Sequence, residues 1–258
     1  MASRCLRSPP AASRRIRRII PSRFCVRIAD AGCRDFPKGR VRPLPDRIPS
    51  FPVYLFDIDG TLLDSATDIV GAVQHVISGC DEPTARPVDF AYLKTFIGLH
   101  LHECFSEVYP SFTEEQREDL IAKYRSTYLA QGHTETRIYP GVAEALEALG
   151  GRKSTATTKG TPTTRAILEQ FGLLKYFDGV QGTDGFPCKP APDVILTALA
   201  ALEAKPEDCL MVGDSPADME AAKRAGVKVC AVRYGYGNQA EIAKWEPDYE
   251  VSDLRELL

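Results

Sequence analysis

Apolar and polar positions follow two alternating patterns from Pro52 onward. Short apolar runs are separated by longer segments in which apolar residues recur every three or four positions. The short runs are typical of buried strands, and the longer segments are typical of amphipathic helices. Their alternation predicts an α/β protein with a doubly wound parallel sheet.

Five segments are predicted as strands of this sheet. They are VYLFDID (53–59), KSTATT (153–158), FDGVQGT (177–183), DCLMVGD (208–214) and VKVCAVRYG (227–235). Helices are predicted at YPGVAEALEALG (139–150), TPTTRAILEQFG (161–172), PDVILTALAALEA (192–204) and PADMEAAKRAG (216–226). Two helix starts are well marked, because Thr161-Pro162 and Ser215-Pro216 each place a capping residue before a proline suited to the first helical position.

Residues 66–138 interrupt the alternation. They contain AVQHVISG (72–79), LHECFSEVY (101–109) and EEQREDLIAKYRSTYLAQ (114–131), whose apolar spacing is helical, and no convincing strand. We therefore predict an α-helical cap domain at 66–138, inserted into an α/β core formed by 51–65 and 139–258.

Residues 1–50 differ from the remainder in charge. They hold 13 Arg or Lys against 3 Asp, and they lack a sustained apolar period. This composition predicts a disordered tail, or a segment missing from the mature protein. An organellar transit peptide and a nucleic-acid-binding arm are the alternatives.

Charge and cysteine usage limit the partners of the remaining chain. Residues 51–258 carry a net charge of −13, which argues against nucleic acid and favours a small-molecule ligand. No apolar run approaches the roughly 18 residues of a membrane span. The eight cysteines are scattered without zinc-site spacing, so we expect reduced thiols and a cytoplasmic protein, or an organellar one if the basic segment is a transit peptide.

Aspartates follow two of the predicted strands. Asp57 and Asp59 lie two residues apart in FDIDGTLLDS, so their side chains project the same way from an extended chain. Asp214 ends DCLMVGD in the same manner. Carboxyl ends of parallel strands share one edge of the sheet, where open α/β folds bind ligands. Asp218 has two interpretations, a capping box with Ser215 or support of a metal site.

These carboxylates predict Mg²⁺, which binds oxygen ligands. A phosphate dianion about 4 Å from one carboxylate would meet roughly 8 kcal/mol of repulsion at an effective dielectric near 20. An anionic substrate therefore also needs a cation, and Lys189 in CKPAPD (188–193) is the candidate. TTKG (157–160) offers hydroxyls for the phosphate, with Thr157 first and Thr158 second, or it only satisfies its own turn.

Together the four segments resemble the motifs of the haloacid dehalogenase-like superfamily: D-x-D-G-T, a Ser or Thr at a strand end, a Lys, and G-D-x-x-x-D. The insert resembles the helical cap of the phosphoglycolate phosphatase-like branch. The resemblance implies that Asp57 is the nucleophile and Asp59 the general acid and base. It implies Mg²⁺ ligation by Asp57, the Asp59 carbonyl and Asp214, with the phosphoryl group held by Lys189 and Thr157.

The predicted function is Mg²⁺-dependent hydrolysis of a small phosphate monoester through an aspartyl-phosphate, with 2-phosphoglycolate as the leading candidate. A phosphomutase of the β-phosphoglucomutase kind, or an inactive relative that binds a partner, are the alternatives. His100 and His102 in the insert are candidates for substrate contact or plain surface histidines. GYGNQA (235–240) matches a dinucleotide motif, but too few residues follow it for a nucleotide-binding unit.

Overall fold

The computed structural model describes residues 47–258, so the prediction for residues 1–50 lies almost wholly outside the described residues. The strands are β1 (Val53–Phe56), β2 (Leu63–Asp64), β3 (Arg137–Ile138), β4 (Arg152–Thr155), β5 (Cys209–Gly213), β6 (Lys228–Val232) and β7 (Tyr249–Val251). The helices are α1 (Ala66–Ser78), α2 (Phe90–Lys94), α3 (Leu101–Val108), α4 (Glu114–Ala130), α5 (Val142–Ala148), α6 (Thr161–Gln170), α7 (Asp193–Ala201), α8 (Pro216–Ala225) and α9 (Gln239–Ala243).

The main sheet has the strand order β4-β1-β5-β6-β7, and every neighbouring pair is parallel. This confirms the predicted α/β fold with a parallel sheet. The chain leaves β1 toward β4 on one side and leaves β5 toward β6 on the other. The carboxyl ends of β1 and β5 therefore flank a topological switch point, where ligands bind in open α/β sheets.

Both faces of the sheet are covered. Along β1, Tyr54 and Phe56 join one apolar cluster, whereas Val53 and Leu55 join the cluster on the opposite face. Every residue of β1 and β5 is buried. A central parallel strand buried on both faces needs such a continuous apolar run, which is why these two strands are conspicuous in the sequence.

Helices α1–α4 form one helical segment (residues 66–130) between the short strands β2 and β3. These strands pair antiparallel, with Leu63 opposite Ile138 and Asp64 opposite Arg137. The pairing holds together the chain that enters the helical segment and the chain that leaves it. The expectation that 66–138 contains no strand is thus wrong at its last two residues. No helix within residues 47–258 combines the length and apolarity needed to cross a membrane.

Two local predictions are also wrong. Residues 177–183 form no strand. The Asp178 and Gly179 amides both donate to the Lys153 carbonyl, and side chains supply further bonds along β4: Asp178 Oδ2 accepts the Lys153 amide at 2.8 Å, and Thr155 Oγ1 accepts the Gln181 amide at 2.8 Å. Thr161 is the first residue of α6 rather than its cap, and its hydroxyl accepts the Gly182 amide at 2.8 Å. Ser215 does cap α8, as predicted.

Candidate active site

Three buried carboxylates meet beside the ends of β1 and β5. Asp57 follows β1, Asp214 follows β5, and Asp218 lies in the first turn of α8. One oxygen from each lies within 4.8 Å of the others. The structure thus places two predicted neighbours, Asp57 and Asp214, together at the switch point.

Lys189 enters this carboxylate cluster from the loop before α7. Its side chain is only 1% exposed, and its Nζ lies 2.8 Å from Asp57 Oδ1 and 2.5 Å from Asp218 Oδ1. A buried ammonium between two carboxylates compensates the charge of both. The charge requirement of an anionic substrate and the position of CKPAPD before a helix predicted a cation here, although the contact with Asp218 was not predicted.

Asp218 forms the predicted capping box, and its support of a metal site stays a prediction. Its Oδ2 accepts hydrogen bonds from the Ser215 amide at 3.0 Å and the Ser215 hydroxyl at 2.7 Å, while the Asp218 amide donates to Ser215 Oγ at 3.2 Å. These bonds form the predicted capping box. The second oxygen faces Lys189, so one carboxylate both caps α8 and fixes the lysine.

Asp214 is oriented by two neighbouring segments. Thr61 Oγ1 donates to its Oδ1 at 2.9 Å, and the Tyr236 amide donates to its Oδ2 at 2.8 Å. Gly60, with φ of +89°, passes so close that a Cβ there would collide with the Asp214 carboxylate. The GYGNQA segment therefore supplies a backbone donor to this cluster.

Asp59 is not one of the three clustered carboxylates, and it has its own partners. Ser65 Oγ donates to its Oδ1 at 2.6 Å, and Lys159 Nζ lies 3.0 Å from its Oδ2. The ammonium of Lys159 also lies 4.4 Å from the ring centroid of Tyr128 on α4. Lys159 was not predicted, although it lies within the TTKG segment that follows β4.

The two candidate threonines occupy different environments. Thr157 is buried, and its Oγ1 accepts the Lys159 amide at 3.4 Å, so part of its hydroxyl capacity serves the turn. Thr158 is partly exposed and lines the main cavity beside Asp59. The turn-forming alternative therefore applies to Thr157, and its phosphate-binding role stays a prediction.

Burial and mutual repulsion alter the acidity of the cluster. Burial raises the pKa of Asp57 to about 6, against the opposing charge of Lys189. Burial, Asp218 and Asp57 together raise the pKa of Asp214 to about 8. Burial lowers the pKa of Lys189, but the charges of Asp218 and Asp57 outweigh it and hold the pKa above its usual value. Three carboxylates around one ammonium leave surplus negative charge, and this oxygen donor set fits Mg²⁺.

A cavity of about 460 Å³ opens beside Asp59, between the core and the helical segment. Asp59, Thr158 and Lys159 line it from the core. The helical segment contributes mainly apolar residues; these are Ile69, Phe96, Ile97, Leu99 and Leu101. His100 also lines it and caps α3 by accepting the His102 amide, whereas His102 pairs with Glu114 at 2.7 Å outside this cavity.

The parallel sheet and the carboxylate cluster at its switch point place the chain in the class of open α/β proteins, which bind ligands at this edge of the sheet. The chain belongs to the haloacid dehalogenase-like hydrolase family, whose family model matches residues 54–232. This confirms the resemblance inferred from the four motifs.

Two relatives from Pseudomonas aeruginosa illustrate the similarity. The chain is 34% identical to a 5'-nucleotidase over 80% of this chain and 94% of the relative, and 33% identical to phosphoglycolate phosphatase 1 over 79% and 77%. Among solved structures, a predicted phosphatase from Clostridium acetobutylicum matches with a TM-score of 0.73 and 33% identity, covering 81% of this chain and 97% of that one. These relatives support the prediction of a phosphoric monoester hydrolase.

Proposed function

We propose that the protein is a Mg²⁺-dependent phosphatase that hydrolyses a small phosphate monoester through an aspartyl-phosphate on Asp57. One observation carries the proposal: Asp57 lies at the switch point of the sheet, 2.8 Å from the buried Lys189 ammonium and beside Asp214. A carboxylate held in this way is a nucleophile whose charge is compensated, so a phosphate can approach it.

The proposed reaction has two displacements. An Asp57 oxygen forms a bond to phosphorus as the bond to the leaving alcohol oxygen breaks, and Asp59 gives that oxygen a proton. Water then forms a bond to phosphorus, Asp59 takes the water's proton, and the bond to Asp57 breaks to release phosphate. Asp59 suits this role because it lines the cavity and is not one of the three clustered carboxylates.

Asp57, Asp214 and the Asp59 carbonyl would hold Mg²⁺ at this site, with Asp218 within reach. When bound, the metal would neutralise charge on the phosphoryl oxygens and on the cluster. The Lys189 ammonium binds both Asp57 and Asp218 and so offsets the repulsion between these two carboxylates. The Thr61 hydroxyl and the Tyr236 amide fix the Asp214 carboxylate. These contacts preorganise the site before substrate binds.

2-Phosphoglycolate is the first candidate substrate, because phosphoglycolate phosphatases are among the relatives. A 5'-nucleotide is the second candidate, because a 5'-nucleotidase is equally similar and the cavity has a long apolar wall. Phosphate release from 2-phosphoglycolate, 5'-adenosine monophosphate and hexose phosphates, each with Mg²⁺ or EDTA, tests the proposal. Release that persists in EDTA would contradict metal dependence, and isomerisation of a sugar phosphate without release would indicate the mutase.

Metal affinity should fall as the pH falls. The raised pKa values of Asp57 and Asp214 mean that the folded protein holds protons there that Mg²⁺ must displace. Without metal, these two groups lower the free energy of unfolding as the pH rises from about 4 through about 8. The Mg²⁺-induced rise in Tm should therefore be larger at pH 8.5 than at pH 6, with Kd changing about tenfold per pH unit for each displaced proton.

Asp214→Asn is the control for this measurement, because it removes the group of higher pKa. Its Mg²⁺ response should be weak at both pH values. A wild-type Tm shift of equal size at pH 6 and pH 8.5 would show that protons and metal do not compete at this cluster.

Replacing Asp59 with asparagine should lower kcat by about 10²- to 10⁴-fold, the usual contribution of general acid–base catalysis. The loss should be larger for an alkyl phosphate than for p-nitrophenyl phosphate in the step that releases the alcohol, because nitrophenolate leaves without a proton. Single-turnover release of each alcohol measures this step. Asp64→Asn, an exposed aspartate of the same segment, is the matched control, and equal losses for the two leaving groups would remove Asp59 from the acid role.

A further inference from the structure

Four charged side chains line the main cavity, and three of them have polar partners. Lys159 pairs with Asp59 at 3.0 Å, and both carboxylate oxygens of Asp184 accept the Thr161 amide at 3.2 Å. The fourth, Arg125, forms no ion pair with another residue in the described range 47–258. Among residues 47–258, Arg125 is therefore the cationic residue of the cavity lining that has no salt-bridge partner.

Arg125 is held at the cavity by its position on α4. Tyr124 and Tyr128 of the same helix are buried and line the same cavity, which fixes the helix face. Arg125 and His100 both line this cavity, and burial, followed by the positive charge of Arg125, lowers the pKa of His100. Arg125 itself is exposed and free to bind a ligand.

The charges lie on two different walls. The core wall carries the proposed acid Asp59 together with Thr158, whereas Arg125 belongs to the helical segment. A molecule that presents its phosphoryl group to the core can therefore present its remote end to Arg125. A guanidinium recognises planar carboxylates with two parallel hydrogen bonds, which a neutral group cannot accept equally well.

We propose that Arg125 is a specificity-determining residue that binds a carboxylate at the end of the substrate remote from the phosphoryl group. The substrate class is then the phosphate esters of small hydroxy acids, and a 5'-nucleotide gains nothing from this contact. The inference rests on the proposed phosphatase function of the same cavity.

The test compares substrates that differ only at the remote end. In 2-hydroxyethyl phosphate a hydroxymethyl group replaces the carboxylate of 2-phosphoglycolate. Arg125→Gln should lower kcat/KM for 2-phosphoglycolate by about 10- to 100-fold, the range of hydrogen bonds to a charged group. It should leave kcat/KM for 2-hydroxyethyl phosphate and 5'-adenosine monophosphate unchanged, and Arg125→Lys should restore part of the loss.

Lys123→Gln is the matched control, because it removes the same charge from α4 at an exposed position outside the cavity. Its kinetics should equal those of the wild type. Equal losses on all three substrates, or no loss on any, would overturn the role of Arg125 while Asp57-dependent phosphate release still supported the phosphatase. A wild-type protein inactive toward every phosphate monoester tested would overturn both.

Discussion

Asp57→Asn is expected to lower phosphate release by at least about 10⁴-fold while the protein stays folded, as for loss of a catalytic nucleophile. An amide cannot attack phosphorus to form the acyl phosphate, and no other carboxylate in the cluster occupies the end of β1. Lys189 and the backbone bond from the Asp57 amide to the Val212 carbonyl, at 3.0 Å, leave the local fold supported.

The same substitution should not reduce stability without metal. The pKa of Asp57 is raised to about 6. Near pH 8 Asp57 is therefore ionised, and its charge costs folding free energy because burial and the neighbouring carboxylates oppose it. A neutral amide removes that cost, although it also weakens one contact with Lys189. We expect an unchanged or higher Tm in EDTA and a smaller rise on adding Mg²⁺, as is common when a strained catalytic group is removed.

Asp68→Asn is the matched control for Asp57→Asn, because it alters another buried aspartate. Asp68 is not part of the carboxylate cluster, and its Oδ2 accepts the Thr136 hydroxyl at 2.6 Å. This variant should lose stability and keep its turnover. If Asp57→Asn and Asp68→Asn retained equal activity, Asp57 would not be the nucleophile.

Lys189→Met is expected to reduce both stability and activity. It leaves Asp57 and Asp218 buried without their ammonium, and breaking a buried ion pair costs about 3–5 kcal/mol. The carboxylates can take up protons instead, so the loss of unfolding free energy should be largest near pH 8 and smaller near pH 5. Urea unfolding at the two pH values measures this difference.

Lys153→Met provides the comparison. Lys153 is also buried, but its Nζ donates to the Leu149 and Gly151 carbonyls at 2.5 and 3.2 Å rather than to a carboxylate. Its stability loss should vary little with pH, and its activity should persist. The same pH dependence in both variants would argue that Lys189 does not compensate the cluster's charge.

The central strands and the aspartates that follow them could be predicted from the sequence, because burial of a strand on both faces makes both features visible. β1 and β5 are buried on both faces and therefore read as apolar runs, and an aspartate directly after such a run stands out. Parallel strands then bring Asp57 and Asp214 to one edge. The roles assigned to these residues stay proposals.

Contacts between segments that are distant in sequence could not be predicted from the sequence. Lys159 reaches Asp59 only because the turn after β4 lies beside the first motif, and Tyr236 approaches Asp214 through a backbone amide, which no side-chain pattern reveals. Residues 177–183 have strand-like composition, but the Asp178 carboxylate and the Thr155 hydroxyl take the place of part of a strand ladder there. Local propensity cannot anticipate such substitutions of side chain for backbone.

Trapping the covalent intermediate decides whether Asp57 is the nucleophile. The full chain is mixed with Mg²⁺ and 2-phosphoglycolate, or the best substrate of the panel, quenched in acid within the first turnover and digested at low pH for mass spectrometry. A peptide containing Asp57 should gain the mass of one phosphoryl group, about 80 Da, and this gain should be absent from Asp57→Asn. Substrate turnover without any phosphorylated peptide, or with the label on another residue, would contradict the nucleophilic role of Asp57.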